Sequence, residues 1–145
     1  LLAAEEDTIV NILDQSGVHT DKYNFTTDFK KCEADGLSIY VKRESHATDM
    51  LCCGFIFECN GEKIYYSGDT SNVPSDILNA FLSGEIKTMY QECTFLDTDS
   101  TSHYSLKKLC EIIPYEERQR VYCMHLGDDI DDDIVKAGFR VPKIV

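Results

Sequence analysis

The Asn60-Gly61 dipeptide stands between Leu51 to Cys59, which is apolar at nearly every position, and the β-branched and aromatic run Lys63-Ile64-Tyr65-Tyr66-Ser67. A two-residue hairpin turn needs positive φ at both central positions, which Asn-Gly supplies, so this junction commits the chain to two antiparallel strands. Their register puts the beginning of the first strand beside the end of the second. That end is Ser67-Gly68-Asp69-Thr70, where Gly68 lets the backbone bend and Asp69 emerges at the sheet rim. Asp69 is then either an ordinary turn residue leading into the next polar stretch or a carboxylate presented to a metal.

The remaining pattern places helices around this hairpin. Glu5 to Gln15 carries Ile9, Val10, Ile12 and Leu13 at helical spacing and stops at Ser16-Gly17. Asp21 to Glu33 has no clear period. Gly36 to Arg43 alternates through Leu37, Ile39 and Val41, which predicts a strand with those residues on a buried face. Pro74-Ser75-Asp76 opens a helix through Phe81 that Gly84 closes. Thr88 to Cys93 reads as a short buried strand and Leu96 to Ser102 as a polar loop. Tyr104 to Ile113 is helical up to Pro114, Arg120 to Met124 is a strand, and Asp129 to Ala137 is a helix stopped by Gly138. Strands and helices alternate after the hairpin, which defines an α/β chain with helices packed on a sheet. The expected organisation is a helix and irregular segment over residues 1–36 leading into one domain over 37–145.

Composition narrows the function. At 145 residues and 43% apolar content the chain supports one real core, and no apolar window of about 18 residues is present to span a membrane. The seven cysteines are odd in number and form no CxxC pair, and all but Cys32 lie in apolar runs. They read as small hydrophobes in a reducing, cytoplasmic setting and not as a disulfide or zinc framework. A net charge of -12 disfavours a broad grip on a phosphate backbone. Leu1-Leu2-Ala3-Ala4 has no basic flank and no methionine, and reads as a cut or processed end.

Three of the four histidines fall near the same predicted rim. His46 lies in a Ser-His-Ala-Thr-Asp loop just before the Leu51 strand, so the hairpin register makes it a neighbour of Asp69. It is either a surface histidine paired to an acid or half of a site for Zn²⁺, Mn²⁺ or Fe²⁺. His125 follows the Arg120 to Met124 strand and so emerges at a strand end, as Asp69 does. His103 follows Thr101-Ser102 at a helix start, as a bystander to a capping residue or as a proton donor facing the rim. Glu92, at the end of the Thr88 strand, is placed to orient His103 and fix its tautomer.

The order of His46, Tyr66-Ser67-Gly68-Asp69-Thr70, Glu92-Cys93-Thr94-Phe95, Ser102-His103-Tyr104-Ser105 and Met124-His125 resembles the downstream half of the metallo-β-lactamase superfamily. Within it the chain looks most like the branch of transfer-RNA 3′-endonucleases (ribonuclease Z-like) and cyclic phosphodiesterases. The resemblance covers residues 37 to 145 and implies the second half of an αββα sandwich, a mixed sheet with helices on one face. By motif, His46, Asp69 and His125 match metal ligands, Asp69 being the carboxylate that bridges two ions. His103 and Glu92 match the pair that assists the leaving group. Cys93, Gln91, Tyr104-Ser105 and Leu126-Gly127 depart from the branch's usual residues.

The resemblance therefore implies a dinuclear hydrolase, with two divalent ions, zinc before manganese or iron, that turn a water into the attacking hydroxide on a phosphodiester. The superfamily's His-x-His-x-Asp-His loop occurs nowhere in the sequence, and His19 stands without a second histidine nearby. The expectation is a fragment of such an enzyme, inactive by itself, whose substrate is a small phosphodiester sooner than a nucleic acid. Its exposed sheet face would be covered by a missing N-terminal half or by a second copy. The alternative is a non-catalytic binding or interaction module that kept the sheet and lost the chemistry.

Overall fold

The computed structural model describes residues 5–27, 31–46, 49, 51–94, 102–125 and 131–142. Its centre is one six-stranded sheet in simple sequential order. Four strands, β1 (Cys32–Ala34), β2 (Leu37–Glu44), β3 (Cys52–Cys59) and β4 (Glu62–Tyr66), form an antiparallel meander. The β3–β4 hairpin closes as the sequence demands: Cys59 pairs with Glu62 across Asn60 and Gly61, whose φ values are 52° and 78°.

Beyond β4 the connections lengthen and become helical, which is what parallel pairing requires. β5 (Ile86–Glu92) lies parallel to β4, and β6 (Val121–Met124) parallel to β5. With α1 (Glu6–Gln15) at the start of the chain, the crossovers carry α2 (Ser75–Leu82) and α3 (Leu106–Ile112), and α4 (Asp131–Lys136) follows β6. In α2 the spacing of Ile77 and Phe81 puts both on the buried stripe. They join Leu109 of α3 and Ile134 of α4 against Tyr65, Met89, Val121 and Cys123 of the sheet. The Arg120 guanidinium lies 4.3 Å from the centre of the Phe81 ring and donates to the carbonyls of Phe81 and Ile86, tying the end of α2 to the start of β5.

The mixed α/β sheet with α2, α3 and α4 on one face agrees with the expected fold class. Several local expectations change. The segment without a period holds a 3-10 turn at Thr20–Lys22 and the three-residue β1, too short to show alternation. The helix expected from Tyr104 starts at Leu106, because Ser105 takes the capping position and accepts the Lys108 N–H. The Leu96 to Thr101 part of the expected loop and the Asp129 start of the last helix lie outside the described residues. Cys59, read as a small hydrophobe, is exposed at the end of β3, while Cys93 and Cys123 are fully buried.

The largest change concerns the faces of β2. Leu37, Ile39 and Val41 do share one side of the strand, but Val41 pairs with Phe55, Phe55 with Tyr66, Tyr66 with Tyr90 and Tyr90 with Tyr122. This row points away from the helices. The helix-side row is Tyr40, Ile56, Tyr65, Met89 and Val121. Of the three residues expected to be buried only Val41 is, and Ile64 and Tyr66 stand 37% and 41% exposed on the same open face.

Phe81 is fully buried at the centre of the helix-side core. Phe81→Ala should cost about 3–5 kcal/mol, a large share of a small domain's stability. A urea titration showing a loss under about 1 kcal/mol would contradict this account of the core.

Candidate metal and catalytic site

The carboxyl ends of β4, β5 and β6 and the end of β2 meet at one rim of the sheet. Glu92, the last residue of β5, is 1% exposed there. A carboxylate so deeply buried must be met by donors, and it is met from two sides. The Thr70 backbone N–H donates to Oε2, and His103 Nδ1 lies against Oε1. His125 Nδ1 stands 3.2 Å from that same Oε1 and 3.2 Å from Asp69 Oδ1. The backbone behind Glu92 is fixed as well: its N–H donates to Ser67 Oγ at 2.8 Å, and the Ser67 hydroxyl donates to the Gly68 carbonyl at 2.6 Å.

His46 enters from the other side of the rim. Its Nδ1 is 2.5 Å from the Ser102 carbonyl, so the ring's proton belongs on Nδ1 and the lone pair on Nε2. Its ring meets that of His103 edge-on at 4.9 Å, and His103 meets His125 at 5.3 Å. Each of the three rings thus has Nδ1 against an oxygen, which leaves Nε2 as the remaining coordinating nitrogen. That is how a metal-ligating imidazole is oriented. Among the described residues two donor groups form, His46–Glu92–His103 and Asp69–Glu92–His125, with one candidate ligand atom from each residue within 4.8 Å of the others.

The sequence places all five residues in this neighbourhood, and the structure brings them together with two differences. His46 and Asp69 are not direct partners. The segments that carry them do adjoin, since Ser71 N–H and Oγ both donate to the Ser45 carbonyl at 2.5 and 2.7 Å, but the side chains fall into different donor groups that share Glu92. Register fixes which loops meet; the direction of a loop side chain is decided by its own contacts, here with Ser102. His103 precedes α3 by three residues and is held by Glu92, with Ser105 as the cap, so Ser102 does not cap that helix, and Thr101 lies outside the described residues.

Backbone geometry aims two of these side chains. His125 has φ 57°, a left-handed conformation uncommon outside glycine and seen where surrounding contacts demand it. Gly68 has φ 62° and lies so close to β3 that a Cβ would stand 2.5 Å from the Cys53 carbonyl. The Asp69 turn can pass there only because residue 68 has no side chain.

Sequence reasoning missed Ser67, Thr70 and Glu44. Glu44 ends β2 with 7% exposure, accepting the Tyr65 hydroxyl at 2.6 Å and lying 3.4 Å from the Thr70 hydroxyl. Burial pushes its carboxyl above the usual range, while the hydrogen bonds from Tyr65 and Thr70 work in the opposite direction. The available signal was Glu44 itself, an acid at the end of an otherwise strand-forming run two residues before His46.

A rim where strand ends converge on histidines and carboxylates, over a mixed sheet backed by helices, is the metallo-β-lactamase fold. The chain matches YhfI of Bacillus subtilis, a protein of that fold, with a TM-score of 0.66 and 15% identity, over 99% of this chain and 61% of that one. It matches zinc-bound PqqB of Methylobacterium extorquens with a TM-score of 0.65 and 12% identity, over 96% and 61%. The particular family is narrower: the chain belongs to the family described as Anti-Pycsar protein Apyc1, whose model matches residues 8–141. It is 30% identical over 108 residues to the Anti-Pycsar protein Apyc1 of Bacillus phage BSP38, which takes in 72% of this chain and 39% of that protein. The chain thus spans well under half the length of this curated relative. Among the described residues, no helix is long and apolar enough to cross a membrane.

Gly68→Ala combines a strained φ with a clash against backbone and should destabilise the chain by more than about 1 kcal/mol. Urea unfolding measures it; a Gly68→Ala variant as stable as the wild type would mean that the turn does not need this close approach.

Proposed function

We propose that this chain forms part of a dinuclear metal-dependent phosphodiesterase acting on a small phosphodiester, a cyclic nucleotide being the first class to test. The observation that carries the proposal is the gathering of His46, Asp69, His103 and His125 around one buried acid, Glu92, with histidine nitrogens and carboxylate oxygens at ligand spacing. Imidazole with carboxylate suits zinc, with manganese or iron as alternatives. His46, Asp69 and His125 would hold the ions, with Asp69 in the bridging position that the resemblance implies. Bound there, divalent cations would supply Lewis acidity to water and to phosphoryl oxygen.

The protein's own groups then divide the work. Glu92 has both oxygens committed to Thr70, His103 and His125, so it orients those rings. His103, steadied through Nδ1, has Nε2 left to give a proton to the departing oxygen. Membership of the Apyc1 family, and a net charge of -12 that repels a polyanionic backbone, support a small substrate over a nucleic acid.

A second reading has one observation in its favour. The His-x-His-x-Asp-His loop is absent from this sequence, which suits a non-catalytic module that kept the sheet. The arrangement of four site residues around the buried Glu92 supports the enzymatic reading instead. We also propose that the open face bearing Phe55, Tyr66, Tyr90 and Tyr122 is covered by polypeptide beyond these residues, because this chain accounts for only 61% of YhfI and 61% of PqqB.

Metal analysis and phosphodiesterase assays on the full-length protein test the site. Asp69→Ala and His125→Ala should lose bound metal and activity together, and His103→Ala should keep metal while kcat falls roughly 10²-fold or more. Undiminished turnover in Asp69→Ala would sink the enzymatic reading. For the open face, the 145-residue chain alone should bind a hydrophobic dye or self-associate in light scattering, and the full-length protein should do neither. Equal behaviour of the two would remove the case for a cover.

A further inference from the structure

Glu44 is a buried carboxylate that the division of labour above does not use. It sits where the segments bearing the site residues cross. It ends β2, two residues before His46; its Oε1 accepts the Tyr65 hydroxyl from β4 at 2.6 Å; and its Oε2 faces the fully buried Thr70 hydroxyl at 3.4 Å, next to Asp69. Thr70 in turn gives its backbone N–H to Glu92. The Thr70 hydroxyl has one proton and several acceptors in reach, the carbonyls of Ser45 and Asn72 at 3.3 and 3.0 Å and Asn72 Oδ1 at 3.3 Å besides Glu44. It is one tie between the end of β2 and the turn after β4, beside the two bonds that Ser71 gives the Ser45 carbonyl.

The fold makes room for this acid. A Cβ on Gly54 would stand 2.8 Å from Glu44 Oε1 and 2.9 Å from the Ser67 and Tyr66 carbonyls, so the carboxylate occupies space that any larger residue at 54 would close. A buried carboxylate is a costly way to fill a core, where an apolar residue of similar size serves stability as well or better. What an apolar residue cannot do is accept hydrogen bonds from two directions.

We propose that Glu44 is a positioning residue for the metal site: it fixes the Thr70 turn relative to the end of β2, and through the Thr70 N–H it holds Glu92, and with Glu92 the rings of His103 and His125. This rests on the metallohydrolase reading and adds a residue that touches neither metal nor substrate. Groups in this position act on the geometry and affinity of the ions they never contact.

The test uses the full-length protein, with zinc affinity measured by chelator competition, the absorption spectrum of the cobalt-loaded form, and thermal unfolding without metal. Glu44→Gln should weaken zinc binding about 10-fold and change the cobalt spectrum. Glu44→Gln removes the second acceptor oxygen and Thr70→Val the hydroxyl it faces, so Thr70→Val should do the same, and the double variant should be little worse than either single one, since both act on one connection. Tyr65→Phe leaves the Thr70 side of Glu44 in place and serves as the stability control, expected to lower the melting temperature with little change in affinity. If Glu44→Gln melts early while its folded form takes zinc as the wild type does, the role is structural and the proposal falls. It falls too if the two substitutions weaken binding independently. A wild type that binds no metal overturns the metallohydrolase reading and this proposal with it, whereas a metal-binding wild type matched by Glu44→Gln overturns this proposal alone.

Discussion

The burial of Glu92 is the constraint around which the rest of the rim is organised. A carboxyl group with almost no contact with water is tolerable only if fixed partners replace the water, and those partners come from separate segments of the chain. Thr70 belongs to the turn after β4, His103 to the segment before α3, and His125 to the residue after β6. Satisfying one acid therefore brings together pieces of chain that are otherwise far apart in sequence. Ser67 completes the arrangement by holding the Glu92 N–H, so side chain and backbone of the same residue are both tied to the β4 turn.

Topology explains why these segments are available at one place. β4, β5 and β6 run parallel, so their carboxyl ends lie on one edge, and the helical crossovers leave from that edge. Antiparallel β2 ends at the same edge because β3 reverses the direction twice between it and β4. A polar cluster there interrupts no strand pairing. The helix-side core below it, from Tyr65 to Val121, can stay apolar and close-packed while the rim above holds charge.

Much of this was legible in the sequence because it depends on local chemistry. Asn60-Gly61 specified a turn that requires positive φ, and the apolar strands on either side of it had no alternative partner as near. Asp69, Glu92 and His125 were legible as residues next to strand ends, where alternation stops and a side chain has to leave the sheet. The faces of β2 were not. Leu37, Ile39 and Val41 alternate properly, but alternation says that a strand has an apolar side and not which layer covers it. Glu44 and Thr70 were illegible for a different reason: a glutamate at a strand end and a threonine in a turn are ordinary, and only the space left by Gly54 and the approach of Tyr65 make them a buried network.

The count of donors shows how far this sheet alone can go. A tetrahedral zinc site takes four ligands, so two ions sharing one bridging carboxylate need about seven in all. Among the described residues the rim offers three imidazoles whose Nδ1 is engaged and whose Nε2 is left, and the carboxylate of Asp69, with Glu92 already engaged. One of the three imidazoles, His103, is better used as a proton donor. On the dinuclear reading the remaining coordination positions would fall to water and to groups outside this sheet. Under the dinuclear reading proposed above, pre-oriented histidines joined to a deficit of ligands would leave the site to be completed from outside this sheet, and that shortage, more than any missing strength in the donors present, would set the affinity of this chain by itself.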